Sequence, residues 1–131
     1  MRETLDILEP DRIGHGVAVS RDVDLLDRVV RERVVLEVCP SSNVAVGLYP
    51  SLEEHPVATL WDAGVEMTIS SDDPPFFGTT LSDELRHIVR IAGLGRDDLA
   101  TLQRRAATHS FAAPDVRAAL VAEIGEWAGP G

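Results

Sequence analysis

Short apolar runs alternate with helix-period stretches along this chain, and that alternation limits its fold more than any other feature. The runs are Arg12-Ile13-Gly14, Val34-Val35-Leu36-Glu37-Val38 and Val65-Glu66-Met67-Thr68-Ile69. Val34 to Val38 is short and rich in β-branched residues, which favours a buried strand over a helix. Between the runs, Arg21 to Arg33 carries Val23, Leu26, Val29 and Val30 at three- and four-residue spacings and predicts a helix. Cys39 to Pro50 reads as a loop. Ser51-Leu52-Glu53-Glu54 has the capping-box pattern and predicts a helix to Ala63, with Gly64 as its stop. Beyond Pro75 the pattern is helical throughout, over about Thr80–Ala92, Asp97–Phe111 and Pro114–Trp127. Pro114 suits a first helical turn, and the tail Ala128-Gly129-Pro130-Gly131 reads as frayed.

Strands separated by helices pair in parallel, and a parallel sheet needs both faces covered. Three strands and their helices close poorly on themselves. A complete (β/α)₈ barrel takes about 250 residues, and this chain has 131. The expectation is an α/β fold that is part of something larger. Hydrophobic content of 44% excludes a disordered tail. A net charge of −10, from 22 acidic and 12 basic residues, opposes nonspecific attraction to nucleic acid or anionic membrane. The one cysteine, Cys39, cannot form an internal disulfide, which fits a reducing compartment. Met1 to Asp6 does not read as a signal peptide, and no apolar run reaches the ~18 residues of a membrane span. A soluble, cytoplasmic protein with no nucleic-acid or membrane partner is expected.

Each predicted strand ends in a polar cluster: Gly14-His15-Gly16, Cys39-Pro40-Ser41-Ser42-Asn43, and Ser70-Ser71-Asp72-Asp73-Pro74. Functional residues of α/β barrels gather at the C-terminal ends of strands. Adjacent Asp72 and Asp73 disfavour each other's ionisation unless a cation or a proton-donating ligand is near, so the pair suggests a metal ligand beside a substrate acceptor. Asp-Asp-Pro-Pro is also good turn chemistry. His15 between two glycines is either a ligand-facing imidazole or a locally bonded turn residue. Cys39 reads mainly as a small buried residue, and Ser41, Ser42 and Asn43 mainly as turn formers. His55, before Pro56, reads as a local cap. His87 and His109 look structural or exposed, Trp61 and Trp127 read as helix packing, and Arg104-Arg105 as a solvated helix face.

Together these stretches resemble the adenosine deaminase family of the amidohydrolase superfamily. The matching segments are Arg12-Ile13-Gly14-His15-Gly16, Leu36 to Asn43, Glu54-His55-Pro56, and Ser71-Asp72-Asp73-Pro74-Pro75-Phe76-Phe77-Gly78-Thr79, in the family's order and approximate spacing between Leu5 and Phe111. The resemblance implies a TIM-type (β/α)₈ barrel with one zinc at its mouth. This chain, residues 1–131, would supply the last three β/α units and the closing helices as a partial barrel domain. By the same resemblance Asp72 matches the aspartate that ligates zinc. Asp73 matches the carboxylate that bonds purine N7, and His15 the histidine that orients the attacking water and stabilises charge. Ser70 stands where the family more often has asparagine, and only local hydrogen bonding is expected to differ.

The implied activity is hydrolytic deamination of an adenosine-type purine nucleoside, 6-amino to 6-oxo plus ammonia. Aminodeoxyfutalosine or another adenine-bearing compound is an alternative substrate. Gly14, where an acid would favour the free base, ranks adenine lower. The family's His-x-His pair, third histidine and glutamate proton shuttle have no counterpart here, because His15, His55, His87 and His109 are isolated. Asp72 alone does not make a zinc site, which normally takes three protein ligands. The chain is therefore expected to be inactive by itself, as a truncation or remnant, or as half of a split enzyme that pairs with a complementary N-terminal half or self-associates.

Overall fold

The computed structural model describes residues 1–129, so the predicted fraying of Pro130 and Gly131 lies outside the described residues. Three parallel strands, β1 (Arg12–Gly14), β2 (Val35–Val38) and β3 (Met67–Ile69), lie in the order β1-β2-β3. Ile13 pairs with Leu36, and Leu36 with Met67. Strand alternation then sorts the residues by face. Ile13, Leu36, Val38, Met67 and Ile69 join one apolar cluster under the helices. Arg12, Gly14, Glu37, Thr68 and Ser70 line the opposite face. Both β1 and β3 have a strand neighbour on one side only among the described residues. A parallel sheet whose second face turns polar toward the C-terminal strand ends, and whose two edges are open, is a segment of a barrel wall.

Eight α-helices surround it: α1 (Arg2–Leu8), α2 (Val23–Glu32), α3 (Pro40–Ala45), α4 (Val57–Asp62), α5 (Pro74–Phe77), α6 (Leu81–Ala92), α7 (Arg96–Thr108) and α8 (Pro114–Ala128), with a 3₁₀ turn at Val17–Arg21. Leu36, Leu60, Met67, Ile88 and Leu102 are fully buried between helices and sheet, each worth about 1.5–3 kcal/mol by transfer from water. Sequence and structure part in several places: α1 and the 3₁₀ turn at Val17–Arg21 form where no element was predicted. The capping box at Ser51 does not open a helix: α4 begins only at Val57. Pro56 disfavours helical backbone at His55, and His55 Nδ1 instead accepts the Val57 N–H at 3.2 Å. The Cys39–Pro50 loop contains α3, which Pro40 starts from its first turn. Trp61 packs against the core, whereas Trp127 is half exposed under the Arg96 guanidinium. No helix among the described residues is long and apolar enough to cross a membrane.

Candidate active site

The three polar clusters meet at the C-terminal ends of the strands, around a cleft of ≈ 300 Å³ lined by Arg12, Gly14, His15, Glu37, Cys39, Thr68, Ser70 and Asp72. The backbone aims two of these side chains by adopting a conformation that L-residues avoid. His15 has φ 56° and Asp72 has φ 58°. Such strain costs about 1–3 kcal/mol per residue and persists where the surroundings over-determine it. His15 is fixed by its backbone N–H to Glu37 O at 2.9 Å and by Gly16 behind it. A Cβ on Gly16 would sit 2.7 Å from Leu36 Cδ2.

His15 Nε2 faces Asp72 Oδ2 at 3.7 Å. Asp72 Oδ2 also accepts the Ser42 hydroxyl at 2.7 Å. His15 Nδ1 lies 2.9 Å from Asn43 Oδ1, and Asn43 Nδ2 lies 2.9 Å from His55 Nε2. Ser42, Asn43 and His55 are all buried. So α3 is more than the turn its composition suggested: Ser42 and Asn43 hold the two mouth residues in place. His55 fulfils its expected role as a local cap and also reaches Asn43. Burial pushes the His55 imidazole down to about 4, so the ring is neutral at pH 7.

Cys39 brings its sulfur within 4.8 Å of ligand atoms of His15 and Asp72. Burial, then the Asp72 charge, raises its thiol to about 11. It stays protonated and is no nucleophile at neutral pH. Asp73 does not line the cleft. Its Oδ1 accepts the Phe76 N–H at 3.2 Å and caps α5, so the turn chemistry read from Asp-Asp-Pro-Pro is present. Its Oδ2 has no partner among the described residues. Ser70 Oγ accepts the Asp72 N–H at 3.4 Å. His87 and the ring of His109 lie away from the cleft, and Arg104-Arg105 is not simply solvated: Arg105 lies over Trp61.

Glu84 escaped the sequence reading. It is fully buried on α6, accepts Thr79 Oγ1 at 2.7 Å, and accepts the Ser41 N–H at 3.0 Å. It ties the start of α3 to the segment after Asp72. The signal was an acid four residues before Ile88 on the buried face of a helix.

The adenosine deaminase family profile matches residues 1–127. The chain belongs to the adenosine deaminase family. It is 43% identical over 122 residues to an adenine deaminase of Rhizobium johnstonii, covering 93% of this chain and 38% of that protein. It superposes on the crystal structure of adenine deaminase from Arthrobacter aurescens with a TM-score of 0.89 and 35% identity, covering 96% of this chain and 38% of that one. The N6-methyl-AMP deaminase of Arabidopsis thaliana follows with a TM-score of 0.83 and 28% identity, over 94% of this chain and 36% of that one. This chain thus spans little more than a third of the deaminases it matches. It forms part of a TIM-type barrel, as the strand pattern and the resemblance implied.

Proposed function

We propose that this chain is the C-terminal portion of a deaminase that hydrolyses the 6-amino group of a purine, releasing ammonia and leaving a 6-oxo purine. The observation that carries the reading is the pair of strained residues, His15 and Asp72, brought to one cleft at the strand ends. Asp72 fits one corner of a zinc site. It is a carboxylate whose single ion-pair partner among the described residues is His15, and Ser42 orients it as second partners orient metal ligands. Zinc, when bound, supplies a Lewis acid that lowers the pKa of water toward about 7. His15 then orients the attacking water and faces the charge that develops as oxygen adds at C6. Asp73 Oδ2 accepts a hydrogen bond from the purine ring at protonated N7. The remaining ligands and the proton shuttle come from the rest of the barrel, which pairs along the open edges of β1 and β3 in one chain or as a separate half. Without it, the chain exposes those edges and self-associates.

Two observations divide the substrate. Gly14 leaves the mouth without an acid at that position and favours a nucleoside, whereas the relatives named above include adenine deaminases. The experiment is a panel of adenine, adenosine, AMP and aminodeoxyfutalosine, assayed for ammonia with this chain joined to the missing strands and loaded with zinc. Turnover of one of them is expected. His15→Ala should keep the metal and lower kcat and kcat/KM together by about 10²–10³-fold. Asp73→Ala should keep the metal and raise KM. No turnover of any 6-aminopurine by a zinc-loaded barrel would sink the reading.

A further inference from the structure

A proton-bookkeeping problem lies behind His15. The Val57 backbone N–H donates to His55 Nδ1 at 3.2 Å, and a peptide N–H has no other role to take. Nδ1 of His55 therefore carries the lone pair. A neutral imidazole has one N–H and one acceptor, and burial keeps this ring neutral. Its proton is thus on Nε2, which must donate. The neighbour 2.9 Å away is the Asn43 carboxamide. With Asn43 Nδ2 toward His55, both ring nitrogens would have to accept, which a neutral ring cannot do. Oxygen and nitrogen of an amide exchange by a half-turn about χ2, and the network decides between them. With Oδ1 toward His55, Nδ2 turns to His15 Nδ1 at the same 2.9 Å separation.

We propose that His55 is a positioning residue: capped by Val57, it sets the Asn43 carboxamide, which holds His15 as its Nε2–H tautomer. His15 then presents a hydrogen-bond donor to the mouth. The 3.7 Å approach of Nε2 to Asp72 Oδ2 fits, since an N–H faces the carboxylate rather than a second lone pair. Resting on the deaminase reading above, this names what fixes the tautomer through which His15 meets the developing charge.

The test is a long-range ¹H–¹⁵N correlation spectrum, at pH 7, of the metal-free, ¹⁵N-labelled chain joined to the missing strands, which reads the protonation of each ring nitrogen directly. Both His15 and His55 should show a protonated Nε2 and an unprotonated Nδ1. In Asn43→Asp the donor toward His15 becomes an acceptor, so His15 Nδ1 should become protonated while His55 keeps its tautomer. A protonated Nδ1 on either ring of the unsubstituted chain, or shifts averaged over both tautomers, would overturn the proposal. No substrate enters this measurement. A failed deaminase assay leaves the tautomer result standing, and a wrong tautomer leaves the deaminase reading standing.

Discussion

A histidine faces a carboxylate at each end of this sheet, and the closer pair is the one with nothing left to bind. At the N-terminal end of β3, His109 Nε2 lies 3.3 Å from Glu66 Oε2. Arg33 reaches the same carboxylate at 3.0 Å and Arg105 at 3.4 Å. Glu66 is surrounded by cations. At the C-terminal end, His15 and Asp72 stand 3.7 Å apart, and no guanidinium approaches Asp72 within ion-pair distance among the described residues. The backbone differs as well. Asp72 and His15 occupy the left-handed region, whereas Glu66, the residue just before β3, does not. A neutralised carboxylate on relaxed backbone is architecture. An uncompensated one on strained backbone is what the zinc role proposed for Asp72 requires.

The largest expected effect separates these two carboxylates. In the zinc-loaded complete barrel, Asp72→Ala should lose metal and turnover together. Its loss of metal affinity should exceed the ~10–100-fold typical of a residue that only supports a ligand, which is the loss expected of Ser42→Ala. Glu66→Ala should retain metal and turnover and instead lower stability by about 1–3 kcal/mol, the cost of losing hydrogen bonds to charged groups. Metal content after dialysis and urea midpoints read the two quantities separately. If Glu66→Ala released the metal while Asp72→Ala kept it, the two ends would have to exchange roles.

The mouth should also give the protein its response to mild acid. His55 is neutral in the folded chain, pushed by burial from 6.5 down to about 4. The unfolded chain takes up that proton as pH falls below 6.5, and the folded chain does not until about 4. Stability from this group is therefore full above pH 6.5 and is lost progressively down to about pH 4, about 3 kcal/mol in all at 1.36 kcal/mol per unit. Asp22 and Asp83, held below their ordinary 3.8 chiefly by hydrogen bonds from Arg2 and Thr80, lose their contributions in more acid solution. Urea midpoints at pH 7 and pH 5 should differ in the native sequence and converge in His55→Gln. An equal pH slope in both would show that the buried imidazole is not its source.

Much of this was legible from the chain because strands announce themselves by composition and strand ends by polarity. Val35 to Val38 reads as a strand wherever it is placed, and Gly14-His15-Gly16 marks a backbone that needs unusual freedom. What escaped notice depends on partners far along the sequence. Ser42 and Asn43 look like any turn until Asp72 and His15 stand beside them, 30 and 28 residues away. Glu84 looks like an exposed helical acid until Thr79 and the Ser41 N–H satisfy it inside the core. The false capping box at Ser51 has a local cause. Ser51 and Glu54 do stand at capping-box spacing, but Pro56 outweighs them, because the residue before a proline resists helical backbone.

The smallest expected effect tests the backbone half of the comparison. Arg33 ends α2 with φ 56°, the same strain as His15 and Asp72 but on the surface at the opposite end. Arg33→Gly and Arg33→Ala both remove the ion pair to Glu66, an exposed contact worth about 0–1 kcal/mol. They differ only in tolerance for positive φ, so the glycine variant should be more stable than the alanine variant by about 1 kcal/mol. At the mouth, Gly16→Ala meets the same conformational penalty at φ 65° and adds a contact of 2.7 Å with the fully buried Leu36, so its cost should exceed the Arg33 difference. Thermal unfolding of the three variants orders them. Equal costs at both ends would mean that Leu36 yields to the new methyl group, and that the His15 turn is held by its hydrogen bond to Glu37 O rather than by packing.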